Sequence, residues 1–237
     1  STCAPAFAKS GAYFTGSVII RCTSSGTRAA FLIFSTTGGP IVKFGPTVDG
    51  FLVWDHVQTL TDWRVRPRFE MEFVGQTSFL VDYARSFEQL AGLSFDKRRS
   101  TLEFDTERSR WWSVSTAYEV GTDINRKPPR GQLPRLVDRR SSEVGASFRP
   151  GRHLVVSSTY LRTQLLRQEA TEGDRTVLDN QILRSKVYVH VTRALSLRAI
   201  FDYERVAPNP AASAVAREQP VSVDLLGSFE LNPGTAV

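Results

Sequence analysis

Between Thr61 and Phe73 apolar and charged side chains alternate along the chain. Trp63, Val65, Pro67, Phe69, Met71 and Phe73 take one parity, and Arg64, Arg66, Arg68, Glu70 and Glu72 the other. A helix would smear the two sets round its circumference, whereas a strand separates them cleanly. Pro67 removes one ladder donor, which points to a bulge or an edge at that position. The same parity rule recurs downstream. Trp112, Val114, Thr116, Tyr118 and Val120 share a face. Leu195, Leu197, Ala199, Phe201 and Tyr203 oppose Ser196, Arg198, Asp202 and Glu204. Leu183, Val187, Val189 and Val191 oppose Arg184, Lys186 and His190. Val221, Val223, Leu225, Gly227, Phe229 and Leu231 oppose Ser222, Asp224, Ser228 and Glu230.

This pattern predicts an all-β chain of about 10–12 antiparallel strands, several near ten residues against a usual mode of about 5–6. The connections add an asymmetry. Glu107–Arg110, Arg149–Arg152, Thr192–Ala194 and Asn232–Gly234 read as tight turns. Gly121–Arg140, Arg167–Thr176 and Ala207–Gln219 read as long polar loops between them. Short turns at one end and long loops at the other are the mark of an up-and-down transmembrane β-barrel of the outer-membrane type. Before Phe73 the pattern is weaker, broken by Gly38-Gly39-Pro40 and Gly45-Pro46, and residues 1–46 receive no assignment.

Composition excludes several classes. Hydrophobic residues at 41% and charged residues at 23% are ordinary values for a folded chain. The longest apolar run, Ala29–Phe34, is strand-sized, far below the 18 or so residues a spanning helix needs. A net charge of +6 comes from 30 Lys and Arg scattered among 24 acids, not from a basic block, so nucleic acid is not an expected partner. Cys3 and Cys22 lack CxxC spacing and clustered histidines, which argues against a metal site and leaves a disulfide open.

Three stretches carry a family resemblance: the hairpin Ser147–Leu154, the run Val189–Arg198, and Ser228–Thr235. From about Val48 onward the chain resembles the C-terminal barrel region of a bacterial family known as domain of unknown function 5916. The resemblance implies an envelope protein in the bacterial outer membrane, with outer-membrane lipid around it. Members typically carry a carbohydrate-binding module similar to family 9 ahead of the barrel. That module is not in this chain, so the glycan association it implies brings no ligand residues here.

No GxSxG, GxGxxG, GxxxxGK[ST] or HExxH motif is present, and no cofactor is expected. His56, His153 and His190 are the only histidines. Asp55 and His56 are read as neighbours on a strand, where adjacent side chains point to opposite faces, so Asp55 cannot orient His56. The chain is read as non-enzymatic. Arg64, Arg66, Arg68, Glu70 and Glu72 form a charged ladder that either lines a lumen or simply faces water, with cross-strand ion pairs. Val189, Leu197, Phe201, Val223, Leu225 and Phe229 are the candidate lipid-facing residues, opposite Lys186, Arg198 and Asp224.

Arg126, Lys127, Arg130, Arg135, Arg139 and Arg140, punctuated by Pro128, Pro129 and Pro134, read as one loop. It either grips lipid phosphates or is merely soluble. Trp111, Trp112, Tyr118, Tyr160 and Tyr203 are read as strand-end residues, belonging to an interfacial girdle or to a soluble core.

Residues 1–237 are therefore read as a single β-barrel region with a transport, anchoring or glycan-associated role. A soluble antiparallel sandwich or barrel acting as a binding module explains the alternation equally well. Ser1–Pro5 lacks the basic start of a signal peptide, and Val237 falls three residues past Gly234. The expectation is an incomplete barrel whose terminal strands are unpaired or weakly paired.

Overall fold

The computed structural model describes residues 8–11, 14–22, 28–36, 39–54, 56, 59–168, 175–192 and 194–229, with side chains from residue 39 onward. Thirteen strands follow in order: β1 (Ala8–Gly11), β2 (Phe14–Cys22), β3 (Arg28–Thr36), β4 (Ile41–Trp54), β5 (Leu60–Phe73), β6 (Thr77–Leu90), β7 (Leu93–Thr106), β8 (Trp112–Asn125), β9 (Arg135–Phe148), β10 (Leu154–Leu166), β11 (Thr176–His190), β12 (Leu195–Pro208) and β13 (Val221–Phe229). Each pairs with the next in the chain, giving one antiparallel up-and-down sheet. Among the described residues no ladder joins β13 to β1, so the sheet is open there. A sandwich would need a second sheet packed on the first, and all thirteen described strands belong to one.

The strand count exceeds the expected 10–12 because β1–β3 occupy the unassigned N-terminal stretch. Ala29–Phe34 sits within β3 and is apolar at both parities, so it offers no alternation to read. The pairing of Cys3 with Cys22 lies outside the described residues and side chains.

Strands β4–β9 are 14 residues each. At about 3.3 Å per residue that is roughly 46 Å of extended chain. Prolines inside these strands cost ladder bonds without moving the register. The β5–β6 pairs run Val65↔Arg85 and then Arg68↔Asp82, on one register, with the pairs at Arg66 and Pro67 missing between them. Pro67 thus sits in an interior strand with neither the bulge nor the edge expected of it. The lost donor is absorbed as a gap in one ladder.

At one end of the sheet the connections are 74–76, 107–111, 149–153 and 191–194. At the other they are 55–59, 91–92, 126–134, 167–175 and 209–220. The asymmetry holds from β8 onward, whereas 55–59 and 91–92 are no longer than the turns opposite, and the long loops are shorter than the sequence implies. The expected loop Gly121–Arg140 shrinks to 126–134, because β8 runs on to Asn125 and β9 begins at Arg135. In those strand ends Ile124, Leu136 and Val137 stand among polar residues without regular alternation, so they look like loop. Ala91-Gly92, with φ of 52° and 75°, is a two-residue turn with both residues left-handed as the sheet's twist favours.

One glycine sets how closely two strands approach. The β7–β8 ladder begins at Thr106↔Val114 and stops at Arg99↔Gly121, four residues before β8 ends at Asn125. A Cβ on Gly121 would fall 2.1 Å from the Arg98 carbonyl oxygen. Just past it the Arg98 N–H donates to Thr122 Oγ1 at 3.1 Å instead of to a ladder carbonyl. Gly121→Ala should therefore push β7 and β8 apart, with an expected loss of about 1–3 kcal/mol, the usual cost of overpacking. Urea unfolding titrations of the two proteins check this, and an unchanged midpoint would show that the close approach is immaterial.

Candidate functional site

Register converts parity into two faces. Asp49 stands opposite Arg66, Thr47 opposite Arg68, Phe51 opposite Arg64, and Lys43 opposite Glu72. On the far side of β5, Asp82 stands opposite Arg68 and Ser86 opposite Arg64. Extended through β7, β8 and β9, this polar face collects Lys97, Arg99, Glu119, Asp123 and Arg139. The other face carries the apolar partners Met71↔Phe79, Phe79↔Phe104, Val81↔Leu102 and Trp112↔Phe148.

The polar face is the better sheltered of the two. Asp82 is 4% exposed and Asp49, Glu88 and Glu119 have side chains 16–18% exposed. The apolar residues Val65, Val81, Leu102, Tyr118 and Val144 are 42–49% exposed. Soluble folds do the opposite. Where loop 209–220 leaves β12, it crosses the polar face back to β8. The Asn209 N–H donates to the Val177 carbonyl at 3.0 Å, and the Ala214 N–H to the Lys127 carbonyl at 2.9 Å. Asn125 Nδ2 donates to the Ala212 carbonyl at 2.8 Å. Ala212 is fully buried with Val137 of β9 and Val177 of β11, and Leu165 of β10 packs on them. A bulge between Leu165 and Leu166 alters the β10–β11 register beside Val177. The loop therefore closes over the polar face at the long-loop end.

Cross-strand ion pairs run along this face. Asp49 accepts from Arg66 Nε at 2.8 Å, and Arg64 Nη2 lies 3.5 Å from its other oxygen. Glu88 holds Lys97 and, at 2.6 Å, Arg126 from the loop after β8. Glu119 lies 2.9 Å from Arg139 Nε and 3.5 Å from Arg99, while Arg139 also donates to Asp123 at 3.1 Å. Arg64, Glu88, Lys97, Arg99, Glu119 and Arg139 all border one cavity of about 250 Å³. Such a surface presents fixed charges of both signs to whatever occupies the space, and each exposed pair adds only about 0.2–1 kcal/mol to stability.

The five residues of the expected ladder share this face but are not equivalent. Arg64 and Arg66 converge on Asp49. Arg68 faces Asp82, yet its buried Nε and Asp82 Oδ1 have no hydrogen-bond partner. Glu70 and Glu72 lie nearer the short-turn end, opposite Leu80 and Ser78. Sequence reasoning missed Asp49, Glu88, Lys97, Arg99, Glu119 and Asp123. The available signal was their common parity within β4 and β6–β8; their partners, on neighbouring strands, were not readable.

Val189, Leu197, Phe201, Val223, Leu225 and Phe229 all fall on the apolar face, and Lys186, Arg198 and Asp224 on the polar one. Two expectations need correction. The arginine loop is divided: Arg126, Lys127 and Arg130 lie in 126–134, whereas Arg135, Arg139 and Arg140 belong to β9, the first two on the polar face and Arg140 on the apolar one. The aromatic set is also divided. Trp111 and Trp112 are at the short-turn end, but Tyr118, Tyr160 and Tyr203 lie well inside β8, β10 and β12.

His56 sits in the turn after β4, not on a strand, and Asp55 lies outside the described residues. His153 and His190 meet at the opposite end, where His153 Nδ1 is 3.2 Å from the His190 carbonyl.

No family model and no curated protein matches the chain. A solved structure described as a NanC porin in a rhombohedral crystal form is similar at 8% identity. The alignment covers 88% of this chain and 96% of that one, with a TM-score of 0.41.

The seat of loop 209–220 is testable apart from any function. Ala212→Glu puts a charge where Val137 and Val177 leave no water, at a cost of a few kcal/mol. The expected outcome is release of the loop, seen as roughly tenfold faster trypsin cleavage after Arg217, if the loop's seat contributes about 1.4 kcal/mol. Mass spectrometry of the fragments reads the site, and unchanged cleavage there would show the loop is not held at Ala212.

Proposed function

We propose that this chain is an outer-membrane-type β-barrel polypeptide whose polar face lines a water-filled passage for small polar or charged solutes. One observation carries the reading: large apolar side chains occupy the exposed face, and the ion-paired face is the sheltered one. An exposed apolar surface running along β4–β13 is untenable in water but suits hydrocarbon. The dimensions agree. On β8 the apolar parity runs from Trp112 to Val120, nine residues, within the about 9–11 that a tilted spanning strand needs. The rest of β8 and the loops beyond it then stand clear of the bilayer.

Within the passage, Arg64 on one side and Glu88 and Glu119 on the other supply opposed charges around the cavity. That arrangement favours hydrated, polar solutes over apolar ones. The resemblance of the hairpin and strand signatures to an envelope family associated with carbohydrate modules adds sugars as a solute class. The loop 209–220 narrows the mouth.

The reading is tested by folding into lipid vesicles. Val144→Arg, on the outer face of the interior strand β9, should cost about 2–4 kcal/mol in vesicle folding titrations if it lies near the bilayer midplane. Its neighbour Glu143→Gln, on the inner face, should shift the midpoint little. A reversed ranking, or a chain that stays soluble and monomeric without vesicles, would sink the proposal.

A further inference from the structure

The apolar face does not stay apolar to the strand ends. Towards the long loops arginine enters it on five strands, Arg85 on β6, Arg98 on β7, Arg140 on β9, Arg162 on β10 and Arg205 on β12, while Trp63 and Phe87 keep it apolar beside Arg85. Immediately below stand Tyr83, Ser100, Ser142 and Tyr160, followed by Val81, Leu102, Val144 and Ser158. The boundary is slanted in the register, from Arg98 across to Arg140 opposite Val120 and then to Arg162 opposite Ser142, as strand stagger produces in a curved sheet.

The acids on this rim are engaged. Asp96 is taken by Arg85, and Asp179 by Arg162 through two bonds of 3.1 and 2.7 Å. Asp138 accepts from Gln168 at 3.1 Å and lies 3.7 Å from Arg175. Arg98 and Arg140 have no ion pair or side-chain hydrogen bond among the described residues, and both are exposed. They flank β8, on β7 and β9, and border one groove of about 300 Å³ with Tyr83, Ser100, Thr122 and Asp138. Gly121 lies in this groove, at the point where the β7–β8 ladder stops.

We propose that Arg98 and Arg140 clamp the phosphate of a lipid headgroup across β8, at the membrane boundary on the long-loop side. Two guanidiniums without acidic partners, set at the edge of an apolar belt, match a phosphomonoester whose acyl chains run down over Val120 and Leu102. Planar forked donors recognise phosphate oxygens bidentately, which a lysine does not. Ser100 offers a hydroxyl to the same anion. Asp138, on the groove wall, is restrained by Gln168 and Arg175. This inference rests on the membrane reading, and it names the lipid chemistry that the outer face selects.

The test uses the full chain folded into phosphatidylcholine vesicles containing phosphatidic acid as the probe. Protease protection and heat-modifiable migration first report insertion, so failure of the membrane reading is seen separately. Lipid retained through detergent extraction is then counted by native mass spectrometry. Wild type should retain phosphatidic acid over phosphatidylcholine, and Arg98→Gln with Arg140→Gln should lose about tenfold of that preference, as for one charge-assisted contact of about 1.4 kcal/mol. Should the glutamine pair fail to fold, Arg98→Lys with Arg140→Lys keeps the charge and should still lose severalfold. Retention unchanged in an inserted variant would overturn the clamp. Equal competition by inorganic phosphate would also overturn it, since the site would then serve a soluble anion.

Discussion

The antiparallel ladder is the interaction on which the rest of this protein depends. Every described strand bonds to its sequence neighbour, so each backbone group in β4–β12 finds a partner on both sides, apart from gaps such as those at Pro67 and beyond Gly121. That saturation allows an apolar surface to be laid against hydrocarbon, where an unpaired amide or carbonyl costs several kcal/mol. It also fixes side chains at period two, so a single register choice sends Arg66 towards Asp49 and Val65 away from it.

The two faces then meet opposite requirements. The apolar one needs little more than bulk, which Phe79, Phe104, Trp112 and Phe148 provide near the short turns and Trp63 and Phe87 near the long loops. The polar one crowds charges together, and crowding without pairing would leave them poorly solvated. Glu88 and Glu119 each meet two cations, and Asp49 meets two arginines. Those pairs contribute less to stability than to keeping the face polar and its side chains in place. Loop 209–220 fits the same logic: it enters the sheltered side with small residues such as Ala212 and bonds its backbone to Asn125 and Lys127.

Much of the architecture was legible in particular residues. The alternation at Thr61–Phe73, the rows on β8, β12 and β13, and the turns near Arg108, Gly151 and Thr192 all correspond to elements of the sheet. Reading failed where alternation lapses. β1–β3 offer no alternation, with Ala29–Phe34 apolar throughout, and the start of β9 resembles loop because Arg135, Asp138, Arg139 and Arg140 show no apolar parity. His56 follows the strand parity of Trp54 in sequence, although β4 ends at Trp54.

Parity is a local property: a strand puts residues i and i+2 on the same side whatever surrounds it, so the separation of Arg64, Arg66 and Arg68 from Val65 and Phe69 was determined by the sequence alone. Which side is sheltered is not local. It depends on how the thirteen strands curve together and on where loop 209–220 folds back, and curvature is a sum over many strand pairs that no single segment encodes. Only the tertiary structure could bring Glu88 to Arg126, 38 residues later, or split Arg139 from Arg140 between two environments. The sequence determined two faces, and the tertiary structure decided which one is sheltered.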